Sequence, residues 1–250
     1  MKKLVFFLIV TLLYSAPCIA VKTFSLVTVD FPPYYGRNLP NKGWVSEVVT
    51  EALKSQGYEA EIKFMPWTDA VESTKEGDYD ALLGAYRTRK RTKLYYFTAP
   101  IGQVRTGLFK RTDKKISFSE LTELKNYKIG VVEGYATSKK FDSADFLKKI
   151  PVSNLNTGLK QVYNGILDLM ADSRAVGKYH IKSLETEAPG IGAQIEFIQP
   201  VLAMNKIYVA ISKKATKAQK KLIHFNQGLR RIYLNGTFKR IKEKHKKLNE

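Results

Sequence analysis

The stretch at residues 77–100, GDYDALLGAYRTRKRTKLYYFTAP, decides the fold of this chain. Its apolar run at residues 81–83 has the length of a buried strand and stops at Gly84. Thr88 then predicts the N-cap of a short helix whose first turn carries Arg91. Open α/β sheets bind ligands beyond the carboxyl ends of their strands. The glycine, the hydroxyl and the guanidinium therefore predict a site for a small anion, a carboxylate above all.

The chain before this stretch alternates between strand and helix patterns. Residues 24–29 predict a first buried strand, and residues 44–53 a helix with one apolar face. Ala60, Ile62 and Phe64 alternate as a second strand, and residues 68–76 predict the next helix. Strands and helices that alternate with such short connections indicate a parallel sheet.

The alternation restarts after a polar linker at residues 112–115, which predicts a second α/β unit. Further strands are predicted at residues 104–110, 128–134, 166–172, 195–198 and 206–212, and further helices from residue 135, at residues 158–165, 173–184, 217–235 and 236–247. The strands at residues 195–198 and 206–212 are separated by Pro200.

The first twenty residues have the features of a secretory signal. Lys2-Lys3 precedes an apolar run at residues 4–13, and small residues follow up to Ala20, after which we expect cleavage. The run is shorter than the roughly 20 residues of a spanning helix, which disfavours a retained anchor. Pro17 disfavours lipid attachment at Cys18, the only cysteine. We expect a thiol-free, soluble periplasmic product.

The formal net charge is +19, and +17 without the two lysines of the signal. Such a charge attracts acidic membranes, nucleic acid or anionic ligands. No aromatic residue interleaves with the basic block at residues 239–247, so we interpret it as a solvated helix face and expect no nucleic-acid partner. His180, His224 and His245 are far apart, and no catalytic motif stands out. The sequence predicts no metal site and no cofactor.

The pattern D-x-D-A-x-x-G-x-x-x-T-x-x-R from Asp78, followed by F-T-A-P at residues 97–100, resembles the family 3 periplasmic solute-binding proteins of polar amino-acid ABC transporters. The resemblance extends from about Phe24 to the C-terminus. It implies an α/β, type II periplasmic-binding-protein fold, in which two lobes with mainly parallel sheets flanked by helices are joined by a two-segment hinge near Lys110 and Met204. We expect a signal peptide at residues 1–20, lobe 1 at residues 21–109, lobe 2 at residues 110–205, and a return to lobe 1 with the C-terminal helices at residues 206–250.

The resemblance implies that lobe 1 supplies the carboxylate end of the site. In the family the arginine of the T-x-x-R element, here Arg91 after Thr88, grips the α-carboxylate of the ligand. Phe31 matches an aromatic that packs on the ligand, although it could instead plug the loop from beneath. Thr28 matches a frequent polar contact, and Trp67 an aromatic wall opposite Phe31. The neighbouring cations Arg87, Arg89, Lys90 and Lys93 are expected to face water.

In lobe 2 the resemblance implies contacts to both ends of the ligand. Gly134-Tyr135-Ala136 partly matches a G-T-T/S element that closes on the carboxylate; Ala136 offers its backbone N–H and Thr137 a hydroxyl. Asp172 matches the last acid of a G-x-x-D-x-x-x-x-D element, which pairs with the α-ammonium, but the spacing is one residue shorter. That shift could aim Asp172 away from the cleft, and Asp172 could also cap the next helix or be neutralised by Arg174.

Tyr86 departs from the family, which usually has Ser or Thr there, and it narrows the predicted carboxylate pocket. The first hypothesis is a monomeric binding protein that captures an amino acid or a related small carboxylate and delivers it to an ABC permease. A second is an enzyme similar to the cyclohexadienyl dehydratases, which share the fold. A third is a ligand-sensing partner of a receptor.

Overall fold

The computed structural model describes the backbone of residues 22–249 and the side chains of residues 22–246. The predicted signal peptide lies outside the described residues. The strands are β1 (Lys22–Thr28), β2 (Tyr58–Phe64), β3 (Ala81–Ala85), β4 (Tyr95–Phe97), β5 (Gly102–Arg111), β6 (Lys128–Val132), β7 (Lys148–Val152), β8 (Leu169–Ser173) and β9 (Ile195–Ser212). The α-helices are α1 (Trp44–Lys54), α2 (Trp67–Glu76), α3 (Arg89–Leu94), α4 (Lys139–Asp142), α5 (Leu155–Tyr163), α6 (Arg174–Leu184), α7 (Ile191–Gln194), α8 (Ala218–Leu234) and α9 (Thr237–Asn249). Short 3-10 helices lie at Pro40–Lys42 and Leu121–Leu124.

The strands form a curled sheet with two parallel regions, in the order β2-β1-β3-β9-β5-β8-β6-β7. In the first region β1 pairs in parallel with β2 and β3, and in the second β6 pairs in parallel with β7 and β8. The antiparallel pair β5 and β9 lies between them. The expected α/β fold with two lobes is confirmed.

The connection between the lobes differs from the sequence prediction in one respect. β9 is one strand of 18 residues, whereas the sequence predicted two strands separated by Pro200. Its first part pairs with β5, and its last part pairs with β3 and β4. The segments that pass between the lobes pair at residues 102–106 and 203–207, and Arg105 lies opposite Met204. The crossing on β5 therefore lies several residues before Lys110, the position expected from the sequence, whereas the crossing on β9 lies at Met204 as expected.

The core of the first lobe follows the apolar pattern of its elements. Val45, Val48, Val49, Ala52 and Leu53 of α1 are fully buried, as the helical spacing predicted. α8 packs against α1 with a stripe that includes Phe225, Leu229 and Ile232. Gly228 makes this close approach possible, because a Cβ there would lie 2.1 Å from the Ala52 carbonyl oxygen.

Ion pairs connect the C-terminal helices to the rest of this lobe. Lys221 on α8 pairs with Asp80, and both side chains are largely buried. Asp80 also accepts a hydrogen bond from the Ser25 backbone N–H at 3.0 Å. On α9, Lys244 Nζ lies 2.5 Å from Glu47 Oε1 on α1. Glu47 thus helps to hold the C-terminal helix on the first lobe.

Several predicted elements have different bounds in the structure. The helix predicted from residue 135 begins only at Lys139, because the Ser138 side chain caps it there. β8 begins at Leu169 rather than at residue 166, because Asp168 instead accepts a hydrogen bond from the Lys128 backbone N–H. α5 begins at Leu155, where the Asn154 side chain caps it. β3 continues through Gly84 to Ala85 across a register shift. No helix among residues 22–249 combines the length and apolarity that a membrane crossing requires.

Candidate functional site

A cavity of about 330 Å³ lies between the two lobes and is lined by residues of both. It contains most of the residues that the sequence singled out: Phe31, Trp67, Gly84, Tyr86, Arg91, Ala136, Thr137 and Asp172. They come from chain segments up to about 140 residues apart in sequence. The fold therefore brings the predicted anion-binding and cation-binding groups to one cavity.

Thr28 and Thr88 do not line the cavity. Thr28 is fully buried at the end of β1, and its hydroxyl donates to the Leu83 carbonyl oxygen at 2.8 Å. Thr88 is the N-cap of α3, as predicted, and its hydroxyl oxygen accepts from the Arg91 backbone N–H at 3.2 Å. Both threonines support the lining residues, because Thr28 holds the end of β3 and Thr88 orients the first turn that carries Arg91.

Gly84 lets an aromatic side chain cross the floor of the cavity. Its φ is +89°, in the region that favours glycine, and a Cβ there would lie 2.1 Å from Tyr35 Oη. Tyr35 follows β1 in the same loop as Phe31, and the two rings stack with centroids 5.4 Å apart. Both rings are buried, and they form an aromatic wall of the cavity.

Arg91 reaches from α3 into the cavity and contacts both lobes. Its Nη1 donates to the Tyr86 carbonyl oxygen at 3.1 Å, and its Nη2 donates to the Gly134 carbonyl oxygen at 3.3 Å. Its Cζ lies 5.2 Å from the centroid of the Trp67 ring. Burial lowers the pKa of the Arg91 guanidinium from its ordinary value, which is so far above neutrality that the group stays charged. A fixed cation of this kind suits a carboxylate.

Arg91 and Trp67, both from the first lobe, donate to the same Gly134 carbonyl oxygen. Besides Arg91 it accepts from Trp67 Nε1 at 3.2 Å, and the Trp67 ring lies edge-on to Tyr135 with centroids 6.2 Å apart. Gly134 and Tyr135 belong to the loop after β6, in the second lobe. Trp67 and Arg91 therefore join the lobes directly across the mouth of the cavity.

Asp172 points into the cavity, despite the shorter spacing that the sequence shows before it. The side chain is 5% exposed, and its Oδ1 accepts from the Ser173 backbone N–H at 2.5 Å. Its Oδ2 is buried and has no hydrogen-bond partner among the described residues. Burial raises the pKa of Asp172 to about 7, and the hydrogen bond from Ser173 opposes that shift. A buried carboxylate oxygen without a donor is costly, and a cationic group in the cavity would satisfy it.

Arg174 does not neutralise Asp172. It begins α6, and its Cζ lies 5.9 Å from the centroid of the Phe197 ring. The pKa of Asp172 responds to burial and to Ser173, with no contribution from Arg174. The aspartate is thus left for a partner that enters the cavity.

Three tyrosines surround this aspartate. The charge of Asp172 raises the pKa of Tyr35, Tyr86 and Tyr135, in each case in addition to a larger effect of burial. The Tyr86 hydroxyl also interacts with the Thr106 side chain on β5. The phenols stay neutral and provide aromatic faces beside the carboxylate, a setting that favours an organic cation.

The loop that carries Ala136 and Thr137 has its own internal carboxylate. Asp142 of α4 accepts from the Thr137 backbone N–H at 3.1 and 3.2 Å, and it too lines the cavity. Asn205 Nδ2 of β9 donates to the Thr137 carbonyl oxygen at 2.8 Å. The Thr137 N–H is therefore already engaged, and Ala136 lines the cavity beside it.

Sequence reasoning missed Tyr35, Tyr135, Asp142, Thr106 and Ser173 as lining residues. Only Phe31 was selected from the loop at residues 31–35. Thr106 lies within a predicted strand, and no feature of the sequence sets it apart. Among the described residues, no group of three or more His, Cys, Asp or Glu side chains is arranged to hold a metal ion.

Comparison with solved structures shows the same fold in proteins of low sequence identity. The substrate-binding protein of an amino acid ABC transporter matches with a TM-score of 0.72 and 19% identity over 89% of this chain and 98% of the other. A histidine kinase sensor domain with similarity to periplasmic binding proteins matches with a TM-score of 0.74 and 19% identity over 89% and 95%. An ancestral arginine-binding protein bound to glutamine matches with a TM-score of 0.73 and 22% identity over 89% and 96%.

No curated protein sequence matches the chain significantly. The family model for bacterial extracellular solute-binding proteins, family 3, matches residues 26–247, which is most of the chain and includes every residue described in the cavity. The chain belongs to the bacterial extracellular solute-binding proteins of family 3.

Proposed function

We propose that the protein captures an amino acid, or a related small carboxylate, in the cavity between its lobes and delivers it to an ABC permease. Arg91 binds the α-carboxylate of the ligand, and Asp172 binds its α-ammonium. Phe31, Trp67 and Tyr86 enclose the rest of the molecule. The protein acts as a periplasmic monomer after removal of its signal peptide.

One observation carries this proposal: a guanidinium and an unpaired carboxylate share one enclosed cavity. Arg91 has carbonyl partners but no carboxylate within ion-pair distance among the described residues, and Asp172 Oδ2 has no donor. A zwitterion satisfies both groups at once. Charge-assisted hydrogen bonds in such a setting are the strong ones, and they make up for the desolvation of the ligand.

The link between the lobes supports closure on the ligand. Only β5 and β9 pass between the two parallel regions in the described part of the chain, which is the geometry of a hinge with two segments. The contacts of Gly134 with Trp67 and Arg91 join the opposing faces when the cleft is shut. We propose that these contacts break on opening and form again around the bound ligand.

A thermal-shift screen of the L-amino acids and small organic acids tests the proposal. A ligand present at 100 times its dissociation constant adds about 2.7 kcal/mol to the free energy of unfolding. Arg91→Ala should remove the response, whereas Arg89→Ala, an exposed arginine two residues earlier, should keep it. A response that survives Arg91→Ala would contradict the assigned role. Uptake of the identified ligand by cells with and without the gene then tests delivery to a permease.

A second candidate function, a cyclohexadienyl-dehydratase-like activity, is favoured by the pKa of about 7 at Asp172. A carboxyl group with this pKa transfers protons efficiently near neutral pH. The test is turnover of prephenate or arogenate by the purified protein. Turnover that Asp172→Asn abolishes would support the enzyme, and its absence at high protein concentration would leave capture and delivery as the function.

A further inference from the structure

Positive charge is concentrated at the C-terminal end of the chain. Residues 213–249 contain thirteen lysine and arginine residues and a single acidic residue, Glu243. This segment forms α8 and α9, which cover the first lobe on the α1 side. None of its side chains described, at residues 213–246, lines the cavity between the lobes. The charge therefore serves no direct purpose in the ligand site.

One face of α8 combines this charge with exposed apolar side chains. Ile223 is 54% exposed and Leu234 is 78% exposed, although most large apolar side chains of the fold are buried. The helical spacing i, i+3, i+7, i+10, i+11 and i+14 aligns them in one stripe with polar and basic residues. We call this stripe the α8 outer face; it consists of Lys220, Ile223, Gln227, Arg230, Arg231 and Leu234, all of them exposed.

The cations of this face are not neutralised by neighbouring acids. No carboxylate among the described side chains forms an ion pair with Lys220 or Arg230. By contrast, Lys214, which precedes α8, and Lys221, on another face of α8, each pair with an acid. Arg231 donates to the Ser55 carbonyl oxygen, which satisfies one of its N–H groups without cancelling its charge. The α8 outer face is therefore a net positive surface with one exposed apolar side chain near each end.

This combination has the chemistry of a membrane-surface site. Basic residues around exposed Leu and Ile suit the boundary between anionic headgroups and acyl chains, where cations meet phosphates and the apolar side chains enter the lipid. Single-stranded nucleic acid is a poorer match, because it needs free aromatic platforms. Tyr233, beside the stripe, is instead stacked on Phe238 with centroids 4.0 Å apart.

We propose that the α8 outer face docks the protein on membranes rich in anionic phospholipid. Lys220, Arg230 and Arg231 contact the headgroup phosphates, and Ile223 and Leu234 insert at the headgroup boundary. The cavity between the lobes stays accessible, since it is lined by other elements. The proposal stands independently of which ligand the cavity binds.

Vesicle sedimentation with the full mature chain tests this docking. Vesicles made of equal amounts of phosphatidylglycerol and phosphatidylcholine are compared with vesicles of pure phosphatidylcholine. Both are measured in about 100 mM salt, where the Debye length is about 10 Å. The anionic vesicles should bind at least tenfold more protein. Equal binding to both, or no binding to the anionic vesicles, would overturn the proposal.

Two variants of equal charge separate the face from the net charge. Lys220→Glu with Arg230→Glu should lower the partition coefficient at least tenfold more than Lys115→Glu with Lys125→Glu, a matched pair of exposed lysines outside α8 and α9. Thermal unfolding and ligand response of all variants confirm that they fold. An equal loss of vesicle binding in the two double variants would show that only the net charge matters, and it would refute docking through the α8 outer face.

Leu234→Ser distinguishes lipid from an acidic protein. Insertion at the headgroup boundary predicts at least a threefold weaker partition into anionic vesicles for this variant, because a Leu side chain that enters lipid contributes apolar transfer free energy. Ile166→Ser, at an exposed apolar side chain of the second lobe, is the matched control and should leave the partition unchanged. Unchanged binding of Leu234→Ser, together with tighter binding to soluble poly-L-glutamate than to vesicles, would point to an acidic protein partner and overturn the lipid proposal.

Discussion

Asp172→Asn should make the ligand-free protein more stable while it removes ligand binding. The carboxylate is buried, one of its oxygens has no partner, and burial raises its pKa to about 7. In the unfolded chain an aspartate has a pKa of about 3.9. The folded protein therefore holds this proton more tightly than the unfolded chain does, and above pH 4 ionisation favours unfolding.

The magnitude follows from the two pKa values. A difference of about 3 units corresponds to about 4 kcal/mol, at 1.36 kcal/mol per unit. The stabilising contribution of the protonated group is fully present below about pH 4, declines as the pH rises, and is lost above the folded pKa of about 7. Asparagine has the same shape and no charge. Asp172→Asn should therefore match the wild type near pH 4 and exceed it by about 2–4 kcal/mol at pH 8.

Urea unfolding of the ligand-free protein at several pH values between 4 and 9 measures the effect. Asp145→Asn, the same substitution at an exposed carboxylate, is the control and should leave the curve unchanged. The gain in stability should rise between pH 4 and 7 and then level off. A variant that is less stable than the wild type at pH 8 would refute the reasoning, since it would mean that the ionised carboxylate is stabilised by a partner in the folded protein.

Further predictions concern ligand affinity and the first lobe. Calorimetry should show a dissociation constant that rises about tenfold for each pH unit below 7, because the ligand ammonium needs the ionised form of the buried carboxylate; a flat profile would exclude this pairing. Gly84→Ala should lower the free energy of unfolding by more than about 3 kcal/mol, because the new Cβ clashes with Tyr35. Gly57→Ala, also at positive φ but with open space around it, should lower it by only about 1 kcal/mol. Equal losses in urea unfolding would contradict the close approach of Tyr35 to Gly84. Lys221→Met should lower the free energy of unfolding by about 3 kcal/mol, because it leaves the buried Asp80 without its partner. Lys220→Met, at an exposed lysine, should change it by less than about 0.5 kcal/mol. A small effect at both positions would show that the Lys221–Asp80 pair is not buried in solution.

The sequence was sufficient for the fold because its signals are local. The strand before Gly84, the cap at Thr88 and the apolar face of α1 each depend on residues close together in the chain. Each of them is present in the structure, although β3 runs one residue past Gly84. β9 is the exception. The sequence around Pro200 favoured a break, and residues 199–202 have no partner on β5. β5 nevertheless pairs with the residues on both sides of this interruption, so the segment runs on as one strand.

The candidate site was predictable only where a motif marked it. Arg91 and Asp172 were selected from patterns, and both lie in the cavity. The direction of Asp172 was not predictable from its spacing, because the start of β8 at Leu169 sets the alternation of its side chains. Asp142 could not be found at all, since its contact with Thr137 depends on how the loop folds back.

Calorimetric titration with three related compounds tests the central claim most directly: the best amino acid of the screen, its amine without the carboxylate, and its keto acid without the ammonium. Each truncated compound should bind about 100-fold more weakly, because about 3 kcal/mol of charge-assisted bonding is lost. Arg91→Ala should then leave the weak binding of the amine unchanged, and Asp172→Asn that of the keto acid. An amine that binds as tightly as the amino acid, or that loses further affinity in Arg91→Ala, would contradict the account.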